Sequence, residues 1–113
     1  MRDQKLFLKD ILNASVAIQK FTEGFNYESF CDDDKTVSAV IKKLEIIGEA
    51  SKKIPSEITY ANPQVPWKEM AGMRDILIHS YFGTELEAVW NAVQISIPTL
   101  INQIDTIIKR LEN

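Results

Sequence analysis

The chain has 113 residues with a formal net charge of -3. That length supports one compact domain burying roughly two-thirds of its unfolded surface, and the expectation is a single domain over residues 1–113. Apolar residues make up 45% and charged residues 26%, a globular rather than disordered composition, and the acidic balance excludes a global positive field that draws the chain to nucleic acid or anionic lipid. A single cysteine, Cys31, excludes an intrachain disulfide, and with a single histidine, His79, there is no Cys/His set for a structural zinc.

The first twenty residues interleave Asp3, Lys5, Lys9, Asp10 and Lys20 with apolar groups, unlike the uncharged core of a signal peptide. The longest charge-free stretch, Ala88 to Ile104, is interrupted by Asn91, Gln94, Ser96, Pro98, Thr99, Asn102 and Gln103, so no membrane span is expected. A soluble protein of the reducing cytoplasm is the expectation.

From Asp3 to Phe21, Phe7, Ile11, Ala14, Ile18 and Phe21 recur at helical spacing and predict a first amphipathic helix stopped by Gly24. A short segment from Tyr27 to Cys31 leads to Asp32, Asp33 and Asp34, which suit the start of a second long helix. That helix turns Val37, Val40, Ile41, Leu44, Ile47 and Ile54 inward and ends at Pro55. Three prolines and Asn62 predict a loop from Pro55 to Pro66. A third helix is expected from Trp67 to about Tyr81, closed by Gly83. Thr84 and Glu87 have capping-box spacing and open a fourth, with Val89, Trp90, Val93, Ile97, Leu100, Ile101, Ile104, Ile108 and Leu111 inward. Pro98 should kink or divide it. With no period-two segment, the fold class expected is all-α, an up-and-down bundle of four to five helices.

Candidate chemistry concentrates between Gly72 and Phe82, which carry Arg74, Asp75, His79, Ser80 and Tyr81. Arginine offers a permanently charged fork for phosphate, histidine moves protons near neutral pH, and tyrosine supplies a hydroxyl. On an ideal helix Asp75 and His79 stand about 40° apart, so Asp75 can orient the imidazole, whereas Arg74 and His79 stand about 140° apart. Arg74 and Tyr81 share a second stripe, about 20° from alignment. One helix therefore does not easily focus Arg74 and His79 on one phosphate, and a second copy across a two-fold axis resolves this. Spacing alone also accommodates a surface ion pair.

Arg74, four intervening residues beginning with Asp75, then His79, Ser80 and Tyr81 resemble the R-x4-H-x-Y motif of the HepT-like toxins in the HEPN superfamily. Leu44 to Ala50 (LEIIGEA) is similar to the family's second-helix signature, Val65 to Met73 (VPWKEMAGM) to its lead-in, and Trp90 with Pro98 to Leu100 to its last helix. The resemblance implies a homodimer that brings two motifs into one cleft and, in many members, a metal-independent ribonuclease with no cofactor. His79 would exchange protons with the ribose 2′-hydroxyl or the leaving 5′-oxygen, Arg74 would hold the phosphate, and Asp75 would position His79. It also implies a partner, a minimal nucleotidyltransferase antitoxin, which in some systems transfers AMP to the motif tyrosine, here Tyr81. The alternative is a non-catalytic nucleotide-binding or regulatory partner of that enzyme.

Glu49, beside Gly48, and Ser80 are candidate supporting residues; a solvated Glu49 serves equally well. The Asp32 to Asp34 run reads as a helix start rather than a metal site, because consecutive carboxylates point different ways. Trp67 and Trp90, able in principle to stack bases, read as packing groups within amphipathic patterns.

Overall fold

The computed structural model describes residues 3–72 and 86–113, and every regular element among them is helical. Helix α1 spans Gln4–Thr22, α2 Tyr27–Asp32, α3 Asp34–Ser51, α4 Ser56–Ala61 and α5 Trp67–Ala71. After the segment 73–85 come α6, Leu86–Asn91, a π-helical turn, Ala92–Ser96, and α7, Ile97–Glu112. The all-α expectation holds. The expected four to five helices become seven α-helical segments among the described residues, because short helices occupy predicted linkers and the last helix is divided.

Three long helices carry the core. Leu8, Ile11 and Ile18 of α1 are fully buried, and α1 packs against both α3 and α7. Two-sided cover widens its apolar stripe beyond the spacing seen in sequence, which is why Leu8 joins Ile11, Ala14 and Ile18 inside. Phe21, predicted inward, stands 38% exposed near the end of α1. In α7, Leu100, Ile104 and Ile108 are buried as expected and Ile107 joins them, whereas Leu111 in the last turn is 37% exposed. Phe30 of α2 is wholly buried, with Trp90 of α6 tilted against it at a centroid distance of 5.0 Å.

Helix ends follow local chemistry. The Asp3 carboxylate accepts the Lys5 N–H at 2.9 Å, and α1 is followed by Gly24 at φ +79°, a left-handed conformation that glycine adopts without Cβ strain. Asn26 and Ser29 form a reciprocal capping box at α2. The Asp33 carboxylate accepts the Thr36 N–H at 3.1 Å, so the acidic run starts α3 as its sequence suggests. Helix α3 ends at Ser51 rather than Pro55, yet Ile54 remains buried beyond it.

One departure and one expectation met have clear causes. The predicted loop between Pro55 and Pro66 contains α4. Pro55 is extended at φ -60° and precedes the first turn, where its missing N–H is not needed, and Ile58 is buried against the core. Pro98, expected to break the last helix, lies just after the π turn. It has no N–H for the carbonyl of Gln94, and the wider turn falls across that position. Buried hydroxyls are satisfied within their helices, Ser15 donating to the Ile11 carbonyl at 2.8 Å and Ser51 to that of Ile47 at 2.7 Å.

Ile104→Ala, at a fully buried position, should cost about 2–5 kcal/mol, whereas Leu111→Ala should change stability by about 0.5 kcal/mol or less. Chemical denaturation of the two variants checks the contrast.

Candidate functional site

The motif residues Arg74, Asp75, His79, Ser80 and Tyr81 lie outside the described residues, as do Gly83, Thr84 and the expected continuation of the third helix beyond Gly72. What the structure describes is how the chain enters and leaves that segment.

On the entry side, Asn62 organises the corner between α4 and α5. Its side chain is buried and donates Nδ2–H to the Ile58 carbonyl at 2.9 Å. Its own carbonyl accepts two donors, the Val65 N–H at 3.2 Å and the Trp67 indole Nε1–H at 3.0 Å. From α7, Gln103 donates Nε2–H to the Gln64 carbonyl at 3.2 Å. Pro63 and Pro66 restrict the backbone between these contacts. Val65 and Met70 are buried, and α5 packs on α3. On the exit side, Val89 is buried and Trp90 meets Phe30. The described chain on either side of the segment 73–85 is thus held by packed apolar side chains.

Both tryptophans pack against the hydrophobic core while remaining partly accessible, as the amphipathic pattern suggests. Glu49 lies on the exposed side of α3, 3.6 Å from the Lys52 ammonium, with half of its side chain accessible; the neighbouring Gly48 is buried. A surface ion pair of this kind contributes little to stability. Near the exit side, the Tyr27 hydroxyl is held above its ordinary pKa chiefly by a hydrogen bond with Cys31.

Two openings adjoin α5. One, of about 470 Å³, lies among α3, α5, the π turn and α7 and is lined by Ile47, Met70, Ile95 and Leu100 among others. The other, of about 500 Å³, lies against the α4–α5 corner and includes Tyr60, Trp67 and Lys68. Tyr60 and Ile95, which helical periodicity does not single out, are 83% and 70% exposed. The sequence signal for Ile95 is its position off the apolar stripe of the last helix; Tyr60 falls within the predicted loop and carries no such signal.

The model of the family described as "Ribonuclease HepT-like" matches residues 11–107, and the chain belongs to that family. It is 48% identical over 99 residues to "Probable ribonuclease HepT" of Thermococcus cleftensis, covering 88% of this chain and 90% of that one. It is 47% identical over 111 residues to "Putative RNase MJ0125" of Methanocaldococcus jannaschii, with 98% and 96% covered. A second protein of that organism, "Putative RNase MJ0127", is 45% identical over 111 residues, with 98% and 92% covered. No solved structure matches the chain significantly. The expected resemblance and the HEPN-like all-α fold are both upheld.

Asn62→Ala leaves the buried Ile58 carbonyl without the Nδ2–H donor and should cost about 1–3 kcal/mol. In a Trp90→Phe background, denaturation and a red-shifted Trp67 emission measure that loss and the loosening of the corner.

Proposed function

We propose that the chain is a metal-independent endoribonuclease, the toxin half of a toxin–antitoxin pair. It acts in the cytoplasm as a single domain over residues 1–113 and as a homodimer whose two R-x4-H-x-Y motifs share one cleft. The observation that supports this most directly is family membership together with near-full-length identity to relatives named as ribonucleases.

The residue chemistry suits RNA cleavage. A general base removes the ribose 2′-hydroxyl proton as that oxygen attacks phosphorus, and a general acid protonates the departing 5′-oxygen, leaving a cyclic phosphate and a free 5′-hydroxyl. A histidine imidazole can carry either proton transfer near neutral pH, and His79 is assigned that role. Arg74 pairs with the phosphate oxygens as their charge develops. Asp75, one helical turn from His79 on an ideal helix, fixes the tautomer and favours the imidazolium. With one histidine per chain, the two transfers fall to the two His79 residues of a dimer or to one imidazole acting twice. Ser80 and Glu49 are assigned supporting positions.

Control by a minimal nucleotidyltransferase follows from the same placement. Transfer of AMP from ATP to the Tyr81 hydroxyl forms a phosphodiester and releases pyrophosphate. It puts an anion on the stripe of Arg74 and bulk at the cleft.

Purified chain should cleave RNA equally well with or without a chelator, and His79→Ala should lower the rate by about 10²–10⁴-fold. Cleavage abolished by the chelator contradicts metal independence, and full activity in His79→Ala contradicts the site assignment. No cleavage by the isolated wild-type chain favours the non-catalytic partner instead. Incubation with the nucleotidyltransferase and ATP should add AMP to wild-type chain and not to Tyr81→Phe, as read by mass spectrometry; an unmodified Tyr81 contradicts the switch.

A further inference from the structure

The α4–α5 corner carries a large aromatic ring that does nothing for the core. Tyr60 closes the last turn of α4 and is 83% exposed, the most exposed large apolar side chain among the described residues. It shares a shallow, open depression of about 500 Å³ with Trp67, Pro63, Pro66, Gln64 and Lys68.

Three properties of this opening define what it suits. Its aromatic floor is fixed in place, because the Trp67 indole N–H is already donated to the Asn62 carbonyl. With its N–H committed, the ring has no hydrogen bond to offer an incoming group, so contact with it does not read a base edge. The surrounding backbone is preorganised by two prolines, by the double use of the Asn62 carbonyl and by the tie from Gln103 to Gln64, so little ordering cost falls on binding. The charged lining is one ammonium, Lys68, and one carboxylate, Glu69. Lys68 is the one cation here that a phosphate can meet, and Glu69 offsets its charge, which excludes a length of duplex, whose recognition needs a track of cations. The opening also lies on the segment that leads directly to Arg74, six residues beyond Lys68.

We infer that the α4–α5 corner is a subsite for one unpaired nucleotide of the RNA substrate, its base stacked on Tyr60 and Trp67 and its phosphate met by Lys68. This rests on the ribonuclease reading and extends it: the substrate is single-stranded where it is held, and recognition at this position is by stacking rather than by base identity. The neighbouring opening beside Ile95, whose charged lining is Glu69 with no cation, lacks the charge for that role.

The test uses the full chain and a fluorescent 2′-O-methyl oligoadenylate dodecamer, which has no free 2′-hydroxyl to attack. A matched probe carries abasic spacers in place of the bases. Tyr60→Ala should weaken oligoadenylate binding about tenfold, as loss of one stacked base predicts, while Tyr60→Phe and Tyr60→Trp remain within about threefold of wild type. The abasic probe should not distinguish the variants, and all should melt with the wild-type chain because Tyr60 is exposed. With unmodified RNA, the loss in Tyr60→Ala should fall on KM rather than kcat. Unchanged binding and KM in Tyr60→Ala, beside a wild-type chain that cleaves RNA, overturns the subsite and leaves the ribonuclease reading standing. Equal weakening with the abasic probe overturns stacking. A wild-type chain that neither binds nor cleaves RNA overturns both.

Discussion

The structure depends on the enclosure of α1 between α3 and α7. Leu8, Ile11 and Ile18 retain no accessible surface, and each such side chain contributes about 1.5–3 kcal/mol by leaving water. That enclosure sets where α3 lies, and α5 packs on α3. On the other side Phe30, itself fully buried, meets Trp90 and seats α6. The chain therefore enters the motif segment from a helix braced on α3 and leaves it into a helix braced on α2. Packing on both sides of the segment 73–85 suits any chemistry that depends on placement, since small displacements of reacting groups carry large losses in rate.

Much of this frame is legible along the chain because it is written in local chemistry. Ile11, Ala14 and Ile18 recur with the helical period, Gly24 supplies the left-handed residue beyond α1, Asp33 caps α3 and Pro98 breaks the last helix. What escapes the sequence depends on contacts between distant residues. Helix α4 is only six residues long and lies between prolines, so no periodicity announces it, and its register becomes evident only when Ile58 is seen against the core. Leu8 is buried because α1 is covered by both α3 and α7, and Ile107 is buried as well. Phe21 and Leu111 continue a perfect stripe past the point where the neighbours end.

The same division holds at the candidate site. The R-x4-H-x-Y spacing, the LEIIGEA block and the Trp90 to Leu100 block are visible in order, and family membership follows from them and from the near-full-length relatives. The pairing of Glu49 with Lys52 is a helix-neighbour contact that spacing allows. The junction at Asn62 is different, since it joins Ile58, Val65 and Trp67 through one residue whose neighbours in sequence suggest only a loop. Net charge also acquires a narrower meaning: an acidic chain can engage RNA through a few placed cations, and a dimer doubles them without reversing the overall sign.

The claim on which the functional reading turns is that two chains build one site. Co-expression of Arg74→Ala with His79→Ala chains, followed by isolation of the mixed dimer, tests it directly by RNA cleavage. A site that draws its arginine and histidine from both chains predicts that the mixed dimer regains measurable cleavage while each single-variant homodimer stays inactive. A mixed dimer as inactive as its parents, beside an active wild-type dimer, contradicts a shared cleft in which one imidazole serves both proton transfers.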